Sequence, residues 1–281
     1  MLTLYAPAKI NIFLDIIKKL DDGYHSLFMV MQSIGLCDEV TLEKTESGIE
    51  LLCDDEDVPR DSKNTAYKAA EIFFEKTGIK SGIKIQIKKN IPSQAGLGGA
   101  SADAAAVIKG LNEIFDTGLS TTGMIEIGEK VGSDVPFCIL GGTCLAQSRG
   151  AVLSQLKPLK HCHAVLVKPE KGVSTALAYA QADETYLYHP DCSNMLDCCE
   201  RGDFKGICRY AGNVFEQIIE VPERVDIKRI MRANHSLIAQ MSGSGPTVFG
   251  LFESREDAEN TVKQLGEKYG KVYLTETLEI E

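Results

Sequence analysis

The sequence predicts an α+β protein of two domains, and three observations carry that expectation. Strand and helix patterns alternate without the regular parallel repeat of a doubly wound fold. At 281 residues the chain can bury one large or two medium cores. The stretch Leu153 to His161, with Pro158, breaks the pattern near the middle. It divides the chain into expected domains 1–155 and 156–281.

Composition narrows the classes. A content of 44% apolar and 25% charged residues is that of an ordinary soluble globular protein. The net charge of −10 and pI near 5.1 argue against a general nucleic-acid surface, so a polyanionic ligand needs a local basic pocket. No apolar run is long enough for a bilayer span, and the first strand pattern begins at about Leu2, leaving no room for a targeting segment. Nine cysteines, odd in number and without a CxxC pair, point to reduced thiols in the cytosol. His161-Cys162-His163 has no second ligand pair at zinc spacing and runs into the strand pattern Ala164 to Val167.

Taken in order, residues 2–17 read as a strand, with Lys9 and Asn11 alternating against Ile10, Ile12, Leu14 and Ile16. A lysine within an apolar strand must snorkel outward or meet an anion. Asp21-Asp22-Gly23 is a turn, followed by Tyr24-His25, which alone read as a packed aromatic and a surface imidazole. Leu27 to Ile34, Val40 to Leu42 and Ile49 to Cys53 are short strands. Residues 63–77 form a helix capped by Ser62 or Asn64, buried through Ala66, Ala69, Ala70 and Phe73, and ended by Gly78.

Ile83 to Ile87 alternates with period two, as a half-buried strand does. Ile91-Pro92-Ser93-Gln94-Ala95-Gly96-Leu97-Gly98-Gly99-Ala100-Ser101-Ala102-Asp103 follows, then a helical stripe of Val107, Ile108, Leu111, Ile114 and Phe115. Strand, glycine loop and helix start bring backbone N–H groups without intrahelical partners to one point, which attracts anions. Gly98 and Gly99 let the backbone approach a phosphate with no Cβ in the way. The loop matches neither the Walker nor the dinucleotide-binding spacing, because Ala100-Ser101 follows Gly99 and Ser101 stands where the last glycine would be.

A third helix runs from about Thr121 through Met124, Ile127 and Val131 to Gly132. Asp134, two residues before Pro136, reads as a helix cap or a catalytic acid. Thr143 to Ala146 and Ala164 to Val167 are strands, and Gly172-Val173-Ser174-Thr175 turns into a helix through Tyr179. Residues 183–206 read as irregular and polar. Helices over 214–219 and 225–234 precede a strand at 237–241, a second glycine loop Ser242-Gly243-Ser244-Gly245-Pro246-Thr247, and a strand at 248–252. A helix over 255–269 and a strand over 272–275 close the chain.

Pro7-Ala8-Lys9-Ile10-Asn11, the loop from Pro92 to Asp103 and Ser242 to Thr247 together resemble the three signature motifs of the GHMP small-molecule kinases. Asp22-Gly23-Tyr24-His25, Gly132-Ser133-Asp134-Val135-Pro136-Phe137 and Met241 to Phe249 are similar to the branch acting on a cytidine-diphosphate-linked methylerythritol, on a route to isoprenoid precursors. The resemblance covers residues 1 to about 252, with the last helix and strand fitting by position only. It implies a ribosomal-protein-S5-like N-terminal domain, a ferredoxin-like C-terminal domain and an active site in the cleft between them. It implies transfer of the γ-phosphoryl of ATP, with Mg²⁺, to an acceptor hydroxyl.

By the same resemblance, Asp134 matches the catalytic base and Lys9 the lysine beside it. Residues 92–102 match the ATP-phosphate loop, with Ser101 adding a hydroxyl or serving the metal, and Asp103 is left to Mg²⁺ or the helix dipole. Asn11 lies near the acceptor, His25 matches the cytosine-binding histidine, and Tyr24 and Tyr179 match the aromatics that sandwich the base. Gln94 and Ala100 stand where small residues or glycine are common, Ala102 where serine is, and Ala151 where glutamate often is; these departures bear on ATP affinity. The partner implied is a small molecule with a cytidine diphosphate moiety, with no nucleic acid or membrane, for a monomer or homodimer. The competing expectations are a homoserine- or mevalonate-type kinase and a catalytically silent nucleotide-binding module.

Overall fold

The two longest strands are β1 (Leu2–Lys19) and β2 (His25–Thr45). The turn between them is held by Gly23 N–H to the Leu20 carbonyl at 3.0 Å, with Gly23 at φ 84°. The computed structural model describes residues 1–150 and 152–279, so the sequence departure at Ala151 lies outside the described residues. These residues gather into two compact units, neither a continuous piece of chain. Unit 1 comprises Met1–Ala8, Leu36–Ser93 and Gly98–Leu140; unit 2 comprises Lys9–Gly35, Gln94–Leu97 and residues from Gly141 onward. β1 and β2 each contribute to both units.

β2 differs from the expectation of separate short strands. Its residues 27–32 pair with one partner and its residues 39–45 with another. The break in the apolar pattern around Gly35 is therefore a change of partner within one extended strand, not a turn.

In unit 1, β3 (Ile49–Cys53) runs parallel to β4 (Gly82–Lys88), with α1 (Thr65–Thr77) as the crossover between them. β4 pairs antiparallel with residues 39–45 of β2. The caps of α1 follow from its sequence: Asn64 Oδ1 accepts from Ala66 N–H at 2.8 Å, and Gly78 leaves the helix at φ 70°. α2 (Gly99–Ile114), α3 (Thr121–Val131) and α4 (Val135–Leu140) complete the unit. Gly110 lets α2 lie close on the sheet, since a Cβ there would stand 2.4 Å from Leu42 Cδ1 and 2.8 Å from Leu4 Cδ1.

In unit 2, β5 (Thr143–Ser148) pairs with β2 and with β6 (Val152–Gln155). Residues 152–155 are thus a strand, overlapping the start of the stretch Leu153 to His161 expected to be a break. A second sheet joins β7 (His163–Val167), β9 (Ile238–Met241), β10 (Val248–Phe252) and β11 (Val272–Glu276) in the order β11-β7-β10-β9, all antiparallel. This is the split-βαβ, ferredoxin-like order. It packs on α8 (Arg224–Ala233) and α9 (Arg255–Gly266) through Val165, Val167, Ile227, Met231, Phe252 and Leu265.

α5 (Thr175–Glu184) follows β7, and the expected irregular stretch 183–206 instead holds α6 (Cys192–Arg201) and the start of α7 (Phe204–Tyr210). Asp191 and Asp203 cap these helices by accepting from Asn194 N–H and Gly206 N–H, each at 3.0 Å. Their buried faces are Met195, Cys198, Cys199 and Ile207, where cysteine serves as the small apolar residue. The two-residue strand β8 (Gly212–Asn213) pairs with β1, and a 3₁₀ turn spans Val214–Gln217.

Phe252 is fully buried in the core of the second sheet. Phe252→Ala is expected to lower stability by about 3–5 kcal/mol, through lost transfer energy and the cavity left behind. Urea unfolding followed by circular dichroism measures it.

Candidate active site

Lys9 and Asn11 leave β1 on the same face, and both are buried. Lys9 Nζ donates to Asn11 Oδ1 at 2.7 Å, which answers how an apolar strand carries a lysine: the neighbouring amide orients it. The amide nitrogen of Asn11 reaches Met29 Sδ at 3.5 Å, so the amide too is held. Gln240 Nε2 donates to the carbonyls of Asn11 and Ile12 at 2.8 and 2.9 Å, tying β1 to β9.

Two glycine loops close on this lysine within unit 2. Lys9 N–H donates to the Leu97 carbonyl at 2.9 Å, and Ser242 Oγ donates to the Gly96 carbonyl at 2.9 Å. Gly96 has φ 73°, and a Cβ there would meet the Ser242 carbonyl oxygen at 2.3 Å. A Cβ at Gly243 would lie 3.3 Å from the Gly96 oxygen and 3.5 Å from Lys9 Nζ. Asn213 Nδ2 donates to the Met241 and Gly243 carbonyls, both at 2.8 Å, and fixes the second loop from below. A cleft of about 300 Å³ opens beside the loops, lined by Gln94, Gly96, Val173, Ser174, Thr175 and Gly245.

In unit 1 the same loop becomes a helix. Gly98, at φ 71°, precedes α2, and the first intrahelical bond runs from Ala102 N–H to the Gly98 carbonyl at 2.9 Å. The N–H groups of Gly99, Ala100 and Ser101 come before it and have no partner in the helix ladder. They sit where the dipole is positive, the geometry that receives a phosphate. Pro92 and Ser93 lead in, with Ser93 Oγ donating to Asp55 Oδ2 at 3.2 Å, while Ala95, Leu97 and Ala102 are buried anchors. Asp134, half-buried, stands immediately ahead of α4, where its carbonyl accepts from Cys138 N–H at 3.1 Å.

Asp103 answers the question left at its position. Its Oδ2 accepts from Lys89 Nζ at 2.7 Å, and Lys89 also pairs with Asp38. Asp38 Oδ1 accepts Asn90 N–H at 2.6 Å and Ile91 N–H at 2.8 Å, so this buried cluster holds the root of the loop. Two carboxylates share one lysine, and Asp103 Oδ1 is buried without a hydrogen bond. Burial, opposed by Lys89 and aided by the Asp38 charge, pushes the Asp103 carboxyl up to about 7. A carboxyl enclosed in this way fits a structural pair and not a metal ligand.

A second constellation in unit 2 gathers around His25. Its ring stacks on Tyr179 with centroids 4.8 Å apart and planes at 19°. Phe215 and Tyr179 form a T-shaped pair with centroids 5.1 Å apart. His25 Nε2 meets Asp183 Oδ1 at 2.7 Å, and Lys19 Nζ meets Asp183 Oδ2 at 2.5 Å. These two hydrogen bonds, Lys19 foremost, hold the Asp183 carboxyl below its usual range. Tyr24 is exposed and carries the Arg149 guanidinium 4.7 Å above its ring, while Arg149 also pairs with Asp22. The structure thus brings His25 and Tyr179 together and gives Tyr24 a cationic partner.

Sequence reasoning missed Lys89, Asp38, Asn213, Gln240 and Asp183. Of these only Asp183 carried a local signal, because it lies four residues after Tyr179 and so on the same helix face.

The chain matches the description "GHMP kinases N terminal domain" over residues 64–142 and "GHMP kinases C terminal" over residues 195–271. This chain belongs to the GHMP kinase family. Relatives within the family include a 4-diphosphocytidyl-2-C-methyl-D-erythritol kinase of Clostridium tetani, 42% identical and covering 97% of this chain and 99% of the relative. One of the same description from Bacillus cytotoxicus is 44% identical over 89% of this chain and 88% of its own. A crystal structure of 4-(cytidine 5'-diphospho)-2C-methyl-D-erythritol kinase superposes with TM-score 0.78 at 29% identity, covering 98% of this chain and 99% of the other. Homoserine kinase from Cytophaga hutchinsonii, with TM-score 0.71 at 21% identity over 97% of this chain and 93% of its own, shares the GHMP kinase fold.

Gly96→Ala adds both a left-handed strain and a contact with backbone, and together they are expected to cost about 2 kcal/mol or more. Scanning calorimetry is expected to read a Tm at least about 4 °C lower. Gly48→Ala, also at positive φ but with no atom within 4 Å of the added Cβ, is the control and should lose distinctly less.

The Asp103 carboxyl, raised in the folded state, stabilises the fold fully at acid pH and loses that contribution as pH climbs from about 4 to about 7. Asp103→Asn removes this slope. Urea unfolding at pH 5 and pH 8 should show the native chain losing on the order of 2 kcal/mol relative to Asp103→Asn across that interval.

Proposed function

We propose that this GHMP kinase transfers the γ-phosphoryl of ATP to a hydroxyl of 4-diphosphocytidyl-2-C-methyl-D-erythritol, giving the 2-phosphate, in the methylerythritol phosphate route to isoprenoid precursors. The observation that carries this reading is 42–44% identity across most of the chain with kinases described by that acceptor. The homoserine and mevalonate kinases among the structural neighbours are 14–21% identical and support the shared fold alone.

Phosphoryl transfer of this kind rests on positioning and on neutralising charge. An alcohol is a weak nucleophile at neutral pH, so a carboxylate that accepts its proton in the transition state accelerates the step. Asp134 is the base in this reading. Lys9, oriented by Asn11, supplies a positive charge that favours the ionised carboxylate and the developing alkoxide. Residues 92–102 bind the ATP phosphates, using the N-terminus of α2 and the backbone at Gly96 that no side chain obstructs.

Mg²⁺ supplies neutralisation of phosphate charge when bound. Ser101, half-buried on the first turn of α2, is the residue that would hold it; Asp103 is committed to Lys89. The cytosine is read by Tyr24, His25 and Tyr179, and Asn11 lies toward the acceptor. The matched segments 64–142 and 195–271 support an N-terminal domain of residues 1–155 and a C-terminal domain of 156–281. The reading is of a cytoplasmic monomer or homodimer whose partner is a small molecule; separately, among the described residues no helix is long and apolar enough to cross a membrane.

Purified protein with ATP, Mg²⁺ and the cytidine-linked acceptor should form the acceptor phosphate, read by ³¹P NMR. Asp134→Asn and Lys9→Met should each lower kcat by about 10²–10⁴-fold with the acceptor KM little changed. Activity of Asp134→Asn within threefold of the unaltered chain would remove the base assignment. Preferential phosphorylation of homoserine or mevalonate would overturn the acceptor.

A further inference from the structure

α5 carries two residues that act on one imidazole. Tyr179 lies against the face of the His25 ring, and Asp183, one helical turn on, meets its edge at Nε2. A carboxylate with a lowered pKa offers only acceptor oxygens, so the proton of this 2.7 Å contact belongs to Nε2. Lys19, 2.5 Å from the other oxygen, keeps the carboxylate charged and aimed. In the neutral imidazole the tautomer is therefore set from outside the ring: Nε2 carries hydrogen, and Nδ1 is the nitrogen left to a ligand. Face and edge are both fixed, so the direction of Nδ1 is fixed with them.

We propose that Asp183 is a positioning residue for the cytidine-bearing acceptor, setting the His25 tautomer and ring orientation from the same helix that supplies the Tyr179 stack. The inference rests on the acceptor reading above and adds a residue to it. It assigns α5 a second task, since the helix holds the histidine's protonation pattern as well as a stacking surface. Without Asp183 the imidazole samples both tautomers and ring flips, and base binding then carries the cost of selecting one of them. Chemistry at the phosphoryl group is untouched, because the Asp183 carboxylate is engaged by His25 on one oxygen and Lys19 on the other.

The test compares the full chain with Asp183→Ala and Asp183→Asn. Asp183 is exposed on α5, so neither change disturbs a core, and asparagine keeps a carbonyl that accepts from Nε2–H. Three readouts are taken: affinity for cytidine 5'-diphosphate by calorimetry, kcat and KM for acceptor and for ATP, and histidine ¹⁵N shifts, which report the tautomer. Asp183→Ala is expected to weaken cytidine diphosphate binding and raise the acceptor KM by tenfold or more. Its kcat and ATP KM should stay within twofold, and the His25 nitrogens should shift toward a mixture of tautomers. Asp183→Asn should recover most of the affinity.

Unchanged affinity in Asp183→Ala, or weakened affinity with the His25 shifts unmoved, overturns the inference. If the native chain binds cytidine diphosphate but phosphorylates no cytidine-linked acceptor, the reaction reading fails while the positioning result stands. If the native chain binds no cytidine diphosphate, both fail.

Discussion

The close approach of Gly96 to Ser242 is the contact on which the rest of this site depends. A carbonyl oxygen of one loop occupies the place where a side chain of the other would begin. The Ser242 hydroxyl donates to the Gly96 carbonyl and lies 3.4 Å from Asn11 N–H, so one oxygen touches β1 and both glycine loops. Lys9 is held through the same region by its N–H bond to Leu97 and its Nζ bond to Asn11. A buried ammonium is costly unless oriented by hydrogen bonds: Asn11 orients the Lys9 head from the same strand, and the loop that meets the Lys9 backbone is the one packed on Ser242. Glycine is used here for space, and the position of Lys9 is the consequence.

The loop's other anchor works by charge. Lys89 sits between Asp38 and Asp103, all three side chains nearly inaccessible to solvent. Buried ion pairs are weak contributors to net stability, because desolvation opposes the Coulombic gain. What this cluster contributes is direction. Asp38 accepts two consecutive backbone N–H groups at Asn90 and Ile91, which sets the path of the chain as it leaves β4 for the phosphate loop. The orphan Asp103 oxygen and the raised Asp103 pKa are the energetic counterpart of holding two carboxylates on one lysine.

How much of this was legible depended on the range of the interaction. The α1 caps at Asn64 and Gly78, the helix after the glycine loop and the four strands β7, β9, β10 and β11 of the second sheet are written in local residue types, and they appear where the pattern put them. Three features were hidden because their causes are distant. β2 is one strand because its halves meet different partners, which the break at Gly35 disguised. β6 exists because it pairs with β5. α6 packs through two buried cysteines, whose apolar role cannot be told from a reactive one without seeing what covers them. Asp103 looked like a metal or dipole residue because Lys89 and Asp38, its partners across the sheet and helix, carry no motif of their own.

The loop residues that depart from the family's pattern acquire physical meaning from where they fall. Ala100 and Ala102 lie inside α2, where a Cβ is at home and restricts nothing the helix needs. The Ala100 carbonyl accepts from Thr65 Oγ1 at 2.7 Å, and the Ala102 methyl is buried, in a place where a serine hydroxyl would need a partner of its own. Gln94 is different. It holds φ 52°, a conformation that an L residue adopts at a cost of roughly 1–2 kcal/mol. Its side chain lines the cleft beside Gly96 and approaches Gly172, where a Cβ would stand 3.0 Å from its Oε1 and push the amide aside. Glycine at 94 would relieve the backbone and empty that wall of the cleft. The strain therefore sits at the one departure whose side chain reaches the site, and the two alanines sit where they cost nothing.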